Sequence, residues 1–479
     1  MDDRKWIEGW IDAHASEFID VSDEIWELSE LAFHEYGSCR LLISRLRELG
    51  FEITEGIAGI PTAFSARASF GTGKPVLGIL GEYDALSGLS QEASLPEKRS
   101  LGKNAGHGCG HCLLGAGSMA AAAAVAAYLK ETGKNGTVIY FGCPAEEGAG
   151  SKQFMARAGA FDEVDFVYTW HPASINAVEA VHSNAIMGGN FTFRGLSSHA
   201  GATPYLGRSA LDACELMSVG CNYLREHIIP EARISYAYID SGGTAPNVVQ
   251  DHAVVRYEVR APYVAQVKDI FERVREVARG ASIMTGTEYD CELAMAFTEY
   301  IPNNTLAKIM DECLSEIGAP DWDEADMNLA KSFEESYGEE VQAEIRRKMA
   351  ELYGEERVAE LMERPLDPEV HAFDPADIKL QAGSTDVGDV AAAVPTLNLN
   401  MACACIGNVA HTWQMTAQAA SSIGHKGMIN AAKVLALSSV RTMERLDLIT
   451  EARAELEKRN GGRYVCPLPD EVKPPLDTY

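Results

Sequence analysis

Three short apolar runs constrain this chain more than any other feature, because each stops abruptly at acids or a histidine. Val76 to Gly81 runs into Glu82-Tyr83-Asp84. Gly136 to Cys143 runs into Pro144-Ala145-Glu146-Glu147-Gly148, and Phe166 to Trp170 runs into His171. Apolar residues at consecutive rather than alternate positions suit strands buried on both faces. Helical patterns separate them. Leu113 to Tyr128 is Ala-rich, and Trp6 to Leu49 reads as two helices, the second with Leu42, Ile43, Leu46 and Leu49 at helical spacing. Alternating strands and helices predict an α/β fold with a largely parallel sheet. Such sheets bind ligands beyond the carboxyl ends of their strands. Glu82/Asp84, Glu146/Glu147 and His171 are therefore expected at one place.

The pattern changes near residue 187. Strands are expected from Asn190 to Gly195, Arg233 to Asp240, Ala253 to Arg260 and Tyr289 to Phe297, with helices from Arg208 to Arg225 and from Val264 to Arg279. The order β-α-β-β-α-β is the ferredoxin-like unit. An α/β pattern resumes with a helix from Asn304 to Ile317, so 187–298 reads as an insertion between two parts, 1–186 and 299–479, of one larger domain. Residues from about 321 to 377 are acidic, with mixed charge and few large apolar side chains, and are expected as a solvated helical insertion. The tail from Pro467 to Tyr479 reads as extended.

Composition excludes some partners. The chain has 479 residues, 46% hydrophobic and 23% charged, and a formal net charge of −29. Such a surface repels nucleic acid and anionic membrane. The Ala120 to Tyr128 run is too short to span a bilayer. No signal-peptide pattern opens the sequence, and its eleven cysteines lack framework spacing. Reduced thiols and a cytoplasmic location are expected.

The densest chemical signal is Asn104-Ala-Gly-His107-Gly-Cys109-Gly-His111-Cys112. Thiolate and imidazole suit zinc-like ions, and the glycines allow a backbone tight enough for Cys109 and His111 to face one ion. A redox pair of Cys109 and Cys112 is the weaker reading, since the surrounding pattern is not thioredoxin-like. Glu146-Glu147 is the second signal. Side chains of adjacent residues on extended backbone diverge, so one carboxylate could bind metal while the other serves as a base. His171, His411, His425 and His199 are each weak signals alone. No nucleophile elbow or phosphate loop occurs in a credible place.

Taken together the chain resembles the aminoacylase/carboxypeptidase-type metallopeptidase family, in the branch of N-acyl-amino-acid amidohydrolases and plant auxin-conjugate hydrolases. The resemblance runs through Gly81 to Leu89, Gly106 to Gly115, Pro144 to Gly150, Arg194 to Pro204, Gly243 to Val249, Gly383 to Val390, and His411 to Ala432, in family order. It implies an aminopeptidase-like di-metal catalytic domain, an inserted lid that makes a homodimer, and two divalent ions per subunit, Zn or Mn with Co as a further option. It implies Cys109, His111, Glu147, His171 and His411 as ligands and Glu146 as general base. His199 would reach the partner subunit's site and polarise the substrate carbonyl, with Asn247 near the substrate. Arg260 is a further carboxylate-binding candidate from its strand end, although a strand salt bridge is its simpler explanation. Two departures stand out: Cys112 replaces an Asp that would tune His111, and Ala85-Leu86-Ser87 lacks the usual proline.

The expected activity is hydrolysis of an amide joining an aromatic or acyl group to an amino acid with a free α-carboxylate, such as an aroyl-glutamate. A partner subunit is compatible with this reading. Two rivals share the ligands: a deaminase of an aromatic amine, and a non-catalytic metal-binding assembly subunit. The second leaves Glu146 without a purpose.

Overall fold

The computed structural model describes residues 2–477. Its main sheet has eight strands. Four central ones, Gly136–Gly142, Val76–Gly81, Phe166–Ala173 and Thr396–Ala402, are parallel to their neighbours in that order. The flanks are not. Glu52–Glu55 and Phe64–Phe70 run antiparallel on one side, and Asn176–Val178 pairs antiparallel with Thr396–Ala402 on the other. The sheet is thus mixed, with a parallel centre. A parallel neighbour needs a long crossover, whereas the short links after Glu55 and Ala173 reverse the chain.

The helix His111–Thr132 lies against this sheet, with Asp3–Leu28 and Ser422–Met443 packed on it. It is longer than the sequence pattern indicated, and by length and composition it is apolar enough to cross a bilayer. Its most apolar window is instead 94% buried inside the molecule. The alanines at 120–124 are buried in the main hydrophobic core. Small side chains there let neighbouring helices approach closely.

A second sheet is antiparallel, in the order Arg233–Asp240, His252–Ala261, Ala185–Arg194, Glu288–Phe297. Helices Ala210–Leu224 and Val264–Thr285 pack on it and on each other. Strand order 2-3-1-4 with β-α-β-β-α-β connectivity makes it ferredoxin-like. Its first strand starts at Ala185 rather than Asn190, continuing through an irregularity at Gly188/Gly189.

The acidic segment corrects the expectation of a merely solvated insertion. It forms the helices Glu324–Glu335, Glu339–Tyr353 and Glu355–Leu361, and buries Phe333 of the first, with Tyr337 and Leu366 of the links, against Cys405, Ala417 and Ile423. Val409 N donates to Tyr337 Oη, which donates to Asn408 Oδ1, both at 3.1 Å. The segment therefore braces the loop that carries His411.

The tight seat of the Ala-rich helix makes a prediction. Ala124→Leu should destabilise the protein by about 1–3 kcal/mol through overpacking, read as a lower denaturation midpoint at unchanged slope.

Candidate metal centre

The strand ends deliver their polar residues to one cavity of roughly 390 Å³, lined among others by Glu82, Cys109, Glu146, Glu147, His171 and His411. The cysteine-histidine loop enters it by a route open only to glycine at two positions. Gly110 has φ of 80° and precedes the His111 helix, and a Cβ on Gly106 would lie 2.1 Å from the Leu89 carbonyl oxygen. The turn sends Cys109 and His111 into the site. His107 points away, its Nε2 3.1 Å from the Ile25 carbonyl, and Cys112 is buried in the main core.

Two groups of donor atoms meet at Cys109. Cys109, His111 and His171 offer atoms within 4.8 Å of one another, and so do Cys109, Glu147 and His411. Each of the first two imidazoles has its Nδ1 engaged. His111 Nδ1 lies 2.8 Å from Asp84 Oδ1, and His171 Nδ1 lies 2.8 Å from the Pro172 carbonyl. An Nδ1–H donated there leaves the Nε2 lone pair facing Cys109, the tautomer a metal-binding histidine needs. His171 Nε2 lies 3.4 Å from Cys109 Sγ. His411 Nε2 is 3.1 Å from Glu147 Oε1. His111 Nε2 is buried with no hydrogen-bond partner. An orphaned imidazole nitrogen beside a cysteine, in a set of sulfur, imidazole and carboxylate donors, fits a divalent cation of the zinc type.

Asp84 is the residue that sequence reasoning left without a role. Besides fixing His111, its Oδ2 accepts from Glu147 N at 2.8 Å. The tuning that the Cys112 departure put in doubt comes from this strand end instead. The spacing of Glu82-Tyr83-Asp84 was the available signal.

The divergence of Glu146 and Glu147 has a different origin from the one expected. They do not lie on extended backbone but in a turn after Ala145, whose φ is 63°. Ala145 N donates to Glu35 Oε1 at 2.9 Å, and Thr62 Oγ1 to Glu35 Oε2 at 3.0 Å. Glu35, distant in sequence, thus pins the turn. Glu147 aims at His411 while Glu146 lies with Glu82 and His111. Burial disfavours the charge of Glu147, but its hydrogen bond to His411 and the nearby His111 outweigh that and hold its carboxyl at about 2. Burial, followed by repulsion from Glu82 and Glu147, pushes Glu146 well above the usual carboxylate range.

Behind this group lies an ion cluster that the sequence did not reveal. Lys152 Nζ is 2.7 Å from Glu82 Oε1 and hydrogen bonds to Asp386 Oδ1, and none of the three side chains is more than 3% exposed. Glu82 Oε2 in turn lies 3.3 Å from His111 Nε2.

A match to the peptidase family M20/M25/M40 runs over residues 78–414. The chain belongs to that family. It is 41% identical over 476 residues, 98% of each chain, to one component of the p-aminobenzoyl-glutamate hydrolase of Escherichia coli strain K12. To another component of that enzyme it is 28% identical, over 54% of this chain and 62% of the relative. The Xaa-Arg dipeptidase of Mus musculus is 30% identical over 64% of this chain and 70% of its own. A dinuclear metal-binding M20 peptidase of Bacillus subtilis superposes with a TM-score of 0.57, covering 90% of this chain and 99% of its own at 17% identity, a likeness of fold. This M20 chain is a metal-dependent amide hydrolase, which sets aside the deaminase and assembly-subunit readings.

The remaining candidates lie outside the cavity of this chain. His199 sits on a turn of the inserted unit, with its Nδ1 accepting from Gly201 N at 3.1 Å. Asn247 is beside it, its carbonyl accepting from Ala200 N at 2.9 Å. Arg260 lies on His252–Ala261, its guanidinium 4.0 Å from Glu258. His425 joins two helices through Asp23 at 2.8 Å.

The buried cluster supplies a test. Lys152→Met should cost about 3–5 kcal/mol of stability, because it strands two buried carboxylates without their cation. Urea denaturation measures it, and a loss below 1 kcal/mol on the order of a surface pair would contradict the role given to Lys152.

Proposed function

We propose that this M20 hydrolase cleaves the amide bond between an aroyl or acyl group and an amino acid bearing a free α-carboxylate, with aroyl-glutamates as the leading class. The observation that carries this reading is the position of Glu146. It reaches the cavity in a group with Glu82 and His111, the latter shared with the donors Cys109 and His171, and stands apart from the group that contains Glu147 and His411. The named substrate of the Escherichia coli relative supports the aroyl-glutamate preference.

In this reading Cys109, His111 and His171 hold one divalent ion, and Cys109, Glu147 and His411 a second. Zinc or manganese suits these ligands, and cobalt is a further option. When bound, such ions supply Lewis acidity, polarising the carbonyl and making water a nucleophile near neutral pH. Glu146 takes the proton of the attacking water and returns it to the leaving nitrogen.

The inserted unit is proposed as the dimer contact. Arg233–Asp240 is an edge strand that exposes Tyr236, Tyr238 and Ile239, and the neighbouring helix exposes Val219 and Tyr223. An apolar edge is an invitation to pairing. His199 of the partner subunit would then donate to the developing oxyanion, with Asn247 beside it contacting the substrate carboxylate. Arg260, engaged by Glu258, is left out of the substrate contacts. A second kind of subunit fits the Escherichia coli enzyme, two of whose components resemble this chain. The free cysteines fit a cytoplasmic location.

Glu146→Gln is expected to abolish turnover with metal content near wild type, by activity assay and elemental analysis. Chelation should inactivate the enzyme, and Zn²⁺, Mn²⁺ or Co²⁺ should restore it; activity persisting in metal-free protein would refute the mechanism. Mixing inactive His199→Ala with inactive Glu146→Gln under verified subunit exchange should restore activity, since one site of the mixed dimer holds both residues. No recovery would remove His199 from the partner's site.

A further inference from the structure

The cavity continues past the ligand cluster along two parallel strands. Asn398 is in register with Thr169, and Asn400 with His171. Because side chains alternate, all four face the same side of the sheet, and all four line the cavity. Two residues of strand, about 7 Å, separate the His171 level from the Asn398 level. That matches the reach of a para-substituted benzoyl group from its carbonyl carbon.

The far level presents an unfilled amide acceptor among hydroxyls that can donate or accept. Asn398 Nδ2 donates to Glu179 Oε2 at 2.7 Å, and Glu179 N donates to Asn398 O at 3.0 Å. This double tie orients the amide and leaves Asn398 Oδ1 buried without a protein partner. Asn398 is 9% exposed. Thr169 Oγ1 is unpartnered too. Asn398 N donates to Tyr300 Oη at 3.0 Å, so that ring closes the wall. Among the described residues that line the cavity, none is lysine or arginine. An unsatisfied buried acceptor such as Asn398 Oδ1 is costly, and a ligand that brings N–H donors relieves it.

We infer that Glu179 and Asn398 form a subsite for the amino group of an arylamine, the distal end of the substrate's aroyl group. The inference rests on the aroyl-glutamate reading above. An arylamine offers two N–H donors and no charge. Burial pushes the Glu179 carboxyl up to about 7, which suits a neutral partner better than a cation needing a full counter-charge. A basic side chain on the amino-acid half offers similar donors, so the experiment includes it.

The test measures kcat/KM of metal-loaded wild type, Glu179→Leu and Glu179→Gln on p-aminobenzoyl-glutamate against p-toluoyl-glutamate, and on benzoyl-arginine against benzoyl-norleucine. Each ratio is read within one protein, so partial loss of folded or metal-loaded enzyme cancels. Wild type should favour the amino over the methyl compound by roughly tenfold or more, because the analogue leaves a buried acceptor unpaired. Glu179→Leu should bring that ratio to about one or below, since its pocket wall is apolar. Glu179→Gln keeps the shape and one acceptor, should retain part of the preference, and serves if the leucine variant does not fold. Equal cleavage of both aroyl-glutamates by wild type overturns the subsite and leaves aroyl-glutamate hydrolysis standing, and a full preference in the folded Glu179 variants overturns it as well. Cleavage of neither defeats the aroyl-glutamate reading. Equilibrium binding of p-aminobenzoate against p-toluate then decides the subsite: equal affinity overturns it, and a Glu179-dependent preference for the amine upholds it. A Glu179-dependent preference for benzoyl-arginine would give the subsite to a cationic side chain and overturn the arylamine.

Discussion

Lys152 carries its charge where no water reaches it, and the geometry of the site depends on how that charge is met. A buried ammonium without partners costs several kcal/mol or gives up its proton. Burial does work against it here, yet Asp386 and Glu82 hold it firmly protonated. The three groups come from three regions: a strand end, the helix after the Glu146 turn, and the Gly383–Val390 segment. Asp386 also accepts from the backbone N–H groups of Ser151 and Lys152 at 2.9 and 3.0 Å, so it caps the helix that Lys152 begins. Through Glu82 the cluster reaches His111. One cation thus fixes both the carboxylate behind the imidazole and the turn that presents Glu146.

Around that single lysine the site is crowded with acid. Glu82, Asp84, Glu146, Glu147 and Asp386 converge, and Glu35 lies close enough to Asp84 for repulsion to add to burial in pushing its carboxyl up to about 8. Like charges at this density are tolerated only with compensation. Lys152 compensates Glu82 and Asp386, and His411 compensates Glu147. Glu146 shares its group with Glu82 and with His111, whose imidazole also belongs to the donor set of Cys109 and His171. The same crowding that makes a cation welcome raises the pKa of Glu146, through burial first and then repulsion from Glu82 and Glu147.

What the sequence disclosed follows from how local each signal is. The apolar runs that stop at Glu82, Glu146 and His171 reveal both the sheet and its functional edge, because strand ends and ligands coincide in α/β sheets. Cys109 and His111 are legible because glycine-rich turns and metal donors occur within one short loop. Lys152 was not, since a lysine after Gly150-Ser151 looks like any solvated helix start until Asp386, more than 200 residues away, is brought to it. Glu35 and Asn398 were hidden for the same reason. The acidic segment misled for another: its apolar residues are few, but Phe333 and Tyr337 are large, and a single aromatic buries enough surface to dock a helix. Average composition hides such anchors.

Two residues of the site that are not glycine hold positive φ, Ala145 at 63° and His411 at 60°. Such backbone costs on the order of 1–3 kcal/mol at each position and persists only where surroundings over-determine it. Both are over-determined from a distance. Ala145 N is held by Glu35, and His411 N donates to the Gly108 carbonyl at 2.8 Å. The second contact joins the late histidine to the very loop that carries Cys109. Tyr337 braces the same stretch from the acidic segment. Relaxing either residue to an ordinary conformation would swing Glu147 or His411 out of the group it shares with Cys109. The strain therefore accompanies the approach of the donors to within 4.8 Å of one another.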